Sequence, residues 1–397
     1  MLNIERPEDR IPAGTFSLFA LGFRPFFLLA SLLAIVLITI WLPYLFGQLS
    51  LAGHFTPLHW HAHEMLFGYA VAVISGFLLA AVRNWTSLDT PSGAPLIAIT
   101  LVWLLGRLVC TLPLGLPPAL IASIDLAFLP TVMLALAGPL IRARTLRNMA
   151  FLLILALLTL ANLLMHLQAL GLETTADQGV KLGLGLVILV IVIMGGRVIP
   201  FFTRNPLPGM KLRQWQWVEV SSVAGVVVLL LLELLAVPSL FSAILSLMVG
   251  AILLLRMSGW YDSRIWSRPI LWVLHIAYAS IAVGFFLKGL ALLGWVPTSS
   301  ATHAFGFGGI GLITLGMMAR VSLGHTGRML ELPTLTVWGI RILTLGVVVR
   351  IAATLTSGSL SQALLMLSVF CWVLAFAAFL KDYAPMLIRP RIDGRPG

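Results

Sequence analysis

Runs of about twenty apolar residues, each long enough to cross a hydrocarbon core about 30 Å thick, follow one another along almost the whole of this chain. Short turns rich in Pro, Gly, Arg and Trp separate them. The pattern predicts twelve helices, over 24–47, 60–83, 94–112, 117–141, 147–171, 178–201, 215–236, 238–256, 268–294, 299–322, 333–356 and 360–381, with the seventh and eighth meeting at Val237-Pro238. The expected fold class is all-α, a polytopic membrane protein of about twelve transmembrane helices. On this reading 1–23 is a cytoplasmic N-terminal segment, 24–381 the transmembrane domain and 382–397 a cytoplasmic basic tail.

Composition agrees and charge adds direction. With 60% apolar and 10% charged residues in 397, the chain cannot be an ordinary soluble domain. Cytoplasmic loops are enriched in Lys and Arg. Twenty of the twenty-five basic residues, Arg6 and Arg10 among them, fall on one set of sides, which places both termini in the cytoplasm. The exceptions are Arg107, Lys181, Lys288, Arg341 and Arg350, in helices or near their outer ends. The net charge of +11 is thus a topology signal, with a lipid bilayer as partner and no nucleic acid. Residues 1–20 lack the short apolar region of a removable signal peptide. Cys110 and Cys371 lie in separate apolar helices and no Cys-x-x-Cys-His motif occurs, so any haem is non-covalent.

The histidines carry the chemistry. His59, His61 and His63 enter the second helix from its outer side, followed by Glu64. Imidazole is a common metal ligand and a usual axial ligand of haem, and ionisable groups near a bilayer are costly enough to imply function. His303 at the outer start of helix ten and His166 late in helix five share that depth, as do Arg107, Asp125 and Asn162. His54 falls in the outer loop and is expected to be solvated. On a regular helix His59 and His63 share a face while His61 points away, so the three cannot bind one centre. The expected division is one axial haem ligand, with His63 and His303 preferred, and copper at His59 and His61. Glu64, Asp125 and Asn162 are then candidates for orienting ligands or relaying protons, and Arg107 and Lys288 for pairing with haem propionates.

A second collection lies at the opposite end of the helices: His275 in helix nine, and His325 in the run Arg320-Val-Ser-Leu-Gly-His-Thr-Gly-Arg328. His275 and His325 offer a competing metal site, and Arg320 and Arg328 a loop that contacts anions through paired guanidinium groups. Helices two, six and ten also share small residues before a terminal arginine, Arg83, Arg197 and Arg320, which admits an arrangement of three units of four helices.

Five segments in order, Phe23-Arg24-Pro25-Phe26-Phe27, His61-Ala62-His63-Glu64-Met65-Leu66-Phe67-Gly68, Asn84-Trp85-Thr86, Gly196-Arg197-Val198-Ile199-Pro200-Phe201-Phe202-Thr203-Arg204-Asn205, and Met317-Met318-Ala319-Arg320 through Gly324-His325-Thr326-Gly327-Arg328, resemble the NnrS family nearly end to end. The resemblance implies a multi-pass protein of the bacterial inner (plasma) membrane, with haem b and copper as cofactors. It further implies a role in nitric oxide metabolism or protection from nitrosative stress. The haem-copper oxidase core is similar in its twelve helices and its ligands on helices two, six and ten. Helix six here, Val180 to Phe201, contains no histidine, so that copper site cannot be carried over.

Two function classes stay open at this point. One is a metalloprotein that binds or redox-converts a small gaseous or nitrogen-oxide ligand, as a membrane oxidoreductase would with an electron donor. The other is a multi-pass transporter of copper or a small solute, which the clustering of polar residues near one surface disfavours because transporter sites lie near the midplane.

Overall fold

The computed structural model describes residues 12, 14–51, 53–144, 146–237 and 240–395, so Arg6, Arg10 and Pro238 lie outside the described residues. Among the described residues, twelve helices are long and apolar enough to cross a membrane: α1 Phe23–Leu45, α2 Pro57–Thr86, α3 Ala94–Thr111, α4 Pro118–Arg142, α5 Arg147–Ala169, α6 Ala176–Arg204, α7 Gln216–Leu234, α8 Leu240–Ser258, α9 Pro269–Leu292, α10 Thr298–His325, α11 Thr334–Leu355 and α12 Gly358–Ile388. No strand occurs among the described residues.

The predicted spans fall on these helices, with differences at their ends. Prolines open several of them, at Pro57, Pro118 and Pro269, where the missing N–H would have had no partner. Thr56 caps α2 by accepting the His59 N–H, so His59 stands in regular helix. The last helix runs on to Ile388 through Pro385, which takes residues 382–388 out of the expected tail.

Among the described residues, regular helix geometry is interrupted at three interior places. Glu64–Ala70 in α2 and Ala304–Gly311 in α10 are π-helical. Such turns appear often at functional sites. No π segment interrupts α6. In α4 the helix bends between Leu126 and Phe128. Pro130 cannot donate to the Leu126 carbonyl, which loosens the ladder one residue after Asp125.

The chain divides into two compact units, 1–180 with 318–333 and 376–397, and 181–317 with 334–375. Within the first unit α2 is enclosed, packing on α1, α3, α4 and α5. Within the second, α9 packs on α8, α10 and α11, and α8 on α7.

Candidate metal centre

Four helices and one loop of the first unit bring eight polar side chains together beneath Phe55. His63 and Glu64 come from α2, Arg107 and Cys110 from α3, Asp125 from α4, Asn162 and His166 from α5, and His54 from the loop before α2. All eight are buried, and His63, Glu64 and His166 have no exposed surface. Ionised groups in such a place must find partners. Arg107 provides them by a forked contact, Nη1 donating to Glu64 Oε1 at 2.7 Å and Nη2 to Asp125 Oδ1.

Two glycines make the fork possible. A Cβ on Gly68 would stand 2.9 Å from Arg107 Nη1 and 3.0 Å from Glu64 Oε2, and one on Gly106 would stand 2.7 Å from Asp125 Oδ1. Any side chain at either position would push the carboxylates and the guanidinium apart. The Trp103 indole N–H, bonded to the Gly68 carbonyl at 3.0 Å, fastens α3 to the π segment at the same level.

The histidines complete the network. His63 Nδ1 faces Glu64 Oε1 at 2.9 Å, while its Nε2 faces Asn162 Oδ1 at 2.9 Å and Asp125 Oδ2 at 3.1 Å. His166 Nε2 lies 3.0 Å from Asp125 Oδ2, and Asn162 Nδ2 donates to that oxygen at 2.7 Å. His166 Nδ1 is 2.9 Å from His54 Nε2. The loop histidine expected in solvent is therefore buried, because Phe55 packs its own ring on His54, His63 and His166 and draws the loop inward. Burial, with His166 and His63 alongside, pushes His54 down to about 4. Glu64 Oε2 is buried with no hydrogen-bond partner among the described residues.

From this network His63, Cys110, Asp125 and His166 each offer a ligand atom, and these atoms all lie within 4.8 Å of one another. Two imidazoles, a thiol and a carboxylate form a donor set suited to a single transition-metal ion. Two carboxylates and a thiolate against one guanidinium would leave two negative charges once Cys110 had lost its proton, which one divalent cation would balance. The residues present therefore fit one ion.

They do not fit a macrocycle at the positions expected for haem. His63 has no exposed surface, and the rings of Phe55 and Phe67 stand 4.5 and 5.4 Å from its centre, where a macrocycle would have to lie. His166 is equally enclosed, with the rings of Phe55 and His63 at 5.2 and 5.4 Å. His303, in the second unit, is bonded from Nδ1 to the Ser299 carbonyl at 2.7 Å and from Nε2 to Arg350 at 2.6 Å. Nor are the expected propionate partners open: Arg107 holds two carboxylates, and Lys288 pairs with Glu233 in the second unit.

The remaining candidates stand apart from the cluster. His59 turns outward to Asp177 at 3.0 Å, and His61 stacks on Trp41 at 4.3 Å, so the expected copper pair is split by the helix that carries it. His275, in the second unit, is bonded to the carbonyls of Leu271 and Trp260, while His325, in the first, packs on Phe23 at 5.3 Å. Arg320 lies inside α10 and is buried, because the helix continues past the expected loop to His325. Cys110 and His54 were not among the sequence candidates. Cys110 stands one turn after Arg107, so the charged residue already marked the face on which the thiol had to lie.

Twelve apolar helices and a buried cluster of histidine, cysteine and carboxylate define a multi-pass membrane protein with a candidate metal site. The NnrS protein family matches residues 17–391, nearly the whole chain, and the chain belongs to that family. No curated protein matches it.

Proposed function

We propose that this protein is a membrane metalloprotein of nitric oxide metabolism or protection from nitrosative stress, with a copper ion held between α2, α3, α4 and α5. One observation carries the reading: the convergence of His63, Cys110, Asp125 and His166 on one ion-sized site in a chain of the NnrS family. The family resemblance supplies the nitrogen-oxide chemistry and also implies haem b. Because the expected axial histidines are engaged elsewhere, the reading assigns no step to haem.

Bound copper would supply a redox centre and a Lewis acid. The chain's own groups do the rest. His63, His166 and Cys110 would hold the ion, while Asp125, fixed by Arg107 and Asn162, would give the carboxylate. Ligation would need Cys110 as the thiolate and imidazoles unprotonated at their ligating nitrogens, so binding would release the thiol proton. Glu64 Oε2, the acceptor left open beside His63, would pass that proton on and remain ionised. Burial on all sides keeps bulk water from the site, so only a small ligand reaches it. A nitrogen oxide is of that size.

Purified protein provides the test. Elemental analysis should find one copper per chain, and anaerobic titration with nitric oxide should change the metal's absorption or electron paramagnetic resonance spectrum. Cys110→Ser and His166→Ala should each abolish that change. Chains free of copper, or copper whose spectrum ignores nitric oxide, would overturn the reading. The absorption spectrum of the same sample decides the haem implied by the resemblance.

A further inference from the structure

The two arginine-bearing motifs that the metal site leaves unused, Phe23-Arg24-Pro25 and Gly324-His325-Thr326-Gly327-Arg328, meet in the first unit. There α1 begins while α10 and α12 end, at His325 and Ile388. Arg391 Nη1 donates to the His325 carbonyl at 3.1 Å, and the Ile392 N–H to the Thr326 carbonyl at 3.2 Å. Arg24 ties the third helix end in: its Nη1 donates to the carbonyls of Leu387 at 3.0 Å and Arg389 at 2.6 Å, groups that the closing turn of α12 leaves without helical partners.

That contact uses one nitrogen of Arg24. The side chain has no exposed surface, yet Nε and Nη2 have no hydrogen-bond partner among the described residues. These two nitrogens form the side-on edge of the guanidinium, where two N–H bonds run parallel and match two oxygens of one oxyanion. Cations predominate around that edge. Arg328 and Arg391 are close enough to repel Arg24, and Arg389 acts likewise on Arg328. Two carboxylates at this end are already held, Asp393 by Arg391 at 2.7 Å and Asp89 by Arg83 at 3.2 Å. A buried cation with an idle fork among like charges is costly, and an anion removes the cost.

We propose that this end of the first unit binds a phosphate group, gripped side-on by Nε and Nη2 of Arg24 and flanked by Arg328 and Arg391. A phosphate suits the place better than a carboxylate, because it has enough acceptor oxygens and charge for more than one guanidinium. The group comes either from the headgroup of an anionic phospholipid or from free phosphate. The site is independent of the metal centre, and its failure would leave that reading untouched.

The test uses the full chain in a phosphate-free, lipid-free detergent. Phosphatidylglycerol and inorganic phosphate are added separately, each against chloride at matched ionic strength, and bound ligand is counted by native mass spectrometry with thermal melting alongside. One equivalent should bind, and Arg24→Lys and Arg328→Gln should each weaken it about tenfold, the loss expected for one charge-assisted contact. Circular dichroism should show unchanged helix content. Retention of phosphatidylglycerol with inert free phosphate assigns the lipid, and protection by inorganic phosphate assigns the free anion; either supports the site. Wild-type protein that binds neither above the chloride control overturns it, as do variants that bind like wild type. If Arg24→Lys does not fold, Arg328→Gln carries the test, since that half-buried side chain makes, among the described residues, a 3.4 Å contact with the Thr326 carbonyl and no ion pair.

Discussion

His63 and His303 each stand immediately before a π-helical segment, Glu64–Ala70 in α2 and Ala304–Gly311 in α10, yet the two imidazoles meet opposite chemistry. Around His63 are two carboxylates, an amide and a second histidine, all buried. Around His303 are one backbone carbonyl and one guanidinium, at a half-buried position. Because its Nδ1 must donate to the Ser299 carbonyl, Nε2 of His303 is left to accept from Arg350, which fixes a neutral tautomer. His63 has carboxylate or amide oxygens facing both nitrogens, an environment that draws positive charge toward the ring. A shared backbone irregularity thus sets where a side chain stands, and the charges brought by neighbouring helices set what it can do.

The largest expected effect separates the two arginines. Arg107→Met leaves Glu64 and Asp125 buried without a cation and should destabilise the protein by about 3–5 kcal/mol. Arg350→Met removes one hydrogen bond to His303 and should cost about 1–3 kcal/mol. Thermal melting of both variants checks the order, and equal losses would erase the distinction between the two histidine environments.

Metal content should follow the same division. Cys110→Ser, which keeps the size of the side chain but not its soft sulfur, should lower copper affinity by at least about tenfold. His303→Ala should leave copper unchanged. Competition with a chelator of known affinity measures both, and a loss confined to His303→Ala would move the metal to the second unit.

A smaller effect tests the π segments themselves. Gly68→Ala places a methyl against Arg107 and Glu64 and should cost about 1–3 kcal/mol. Gly306→Ala meets nothing within 4 Å and should be neutral or stabilising by up to about 1 kcal/mol. Equal melting temperatures for the two variants would show that the tight fit at Gly68 is not essential.

Hydropathy reads depth well and direction around a helix poorly. That is why the twelve spans were legible, and why Glu64, Arg107, Asp125, Asn162, His166 and His63 were all recognisable as sharing a level. Which of them would meet was not legible. The π segment after His63 and the bend beside Asp125 each shift the face that a regular helix would present, and no count of 3.6 residues anticipates either. His59 and His61 illustrate the same limit: they belong to the same short run as His63, yet one reaches Asp177 and the other Trp41. His54 escaped because a loop position gives no hint that an adjacent phenylalanine will bury it.

A π turn is also a length variation stored inside a helix. Deleting one residue from Glu64–Ala70 or Ala304–Gly311 lets ordinary α-helical hydrogen bonds close while the flanking turns keep their register. The same deletion in an unbroken helix such as α9 turns everything beyond it by roughly 100°. Single-residue gaps among related chains should therefore collect at these two places. A relative lacking the extra residue in α2 would keep the span but lose the widened turn in which Glu64 and Gly68 meet Arg107.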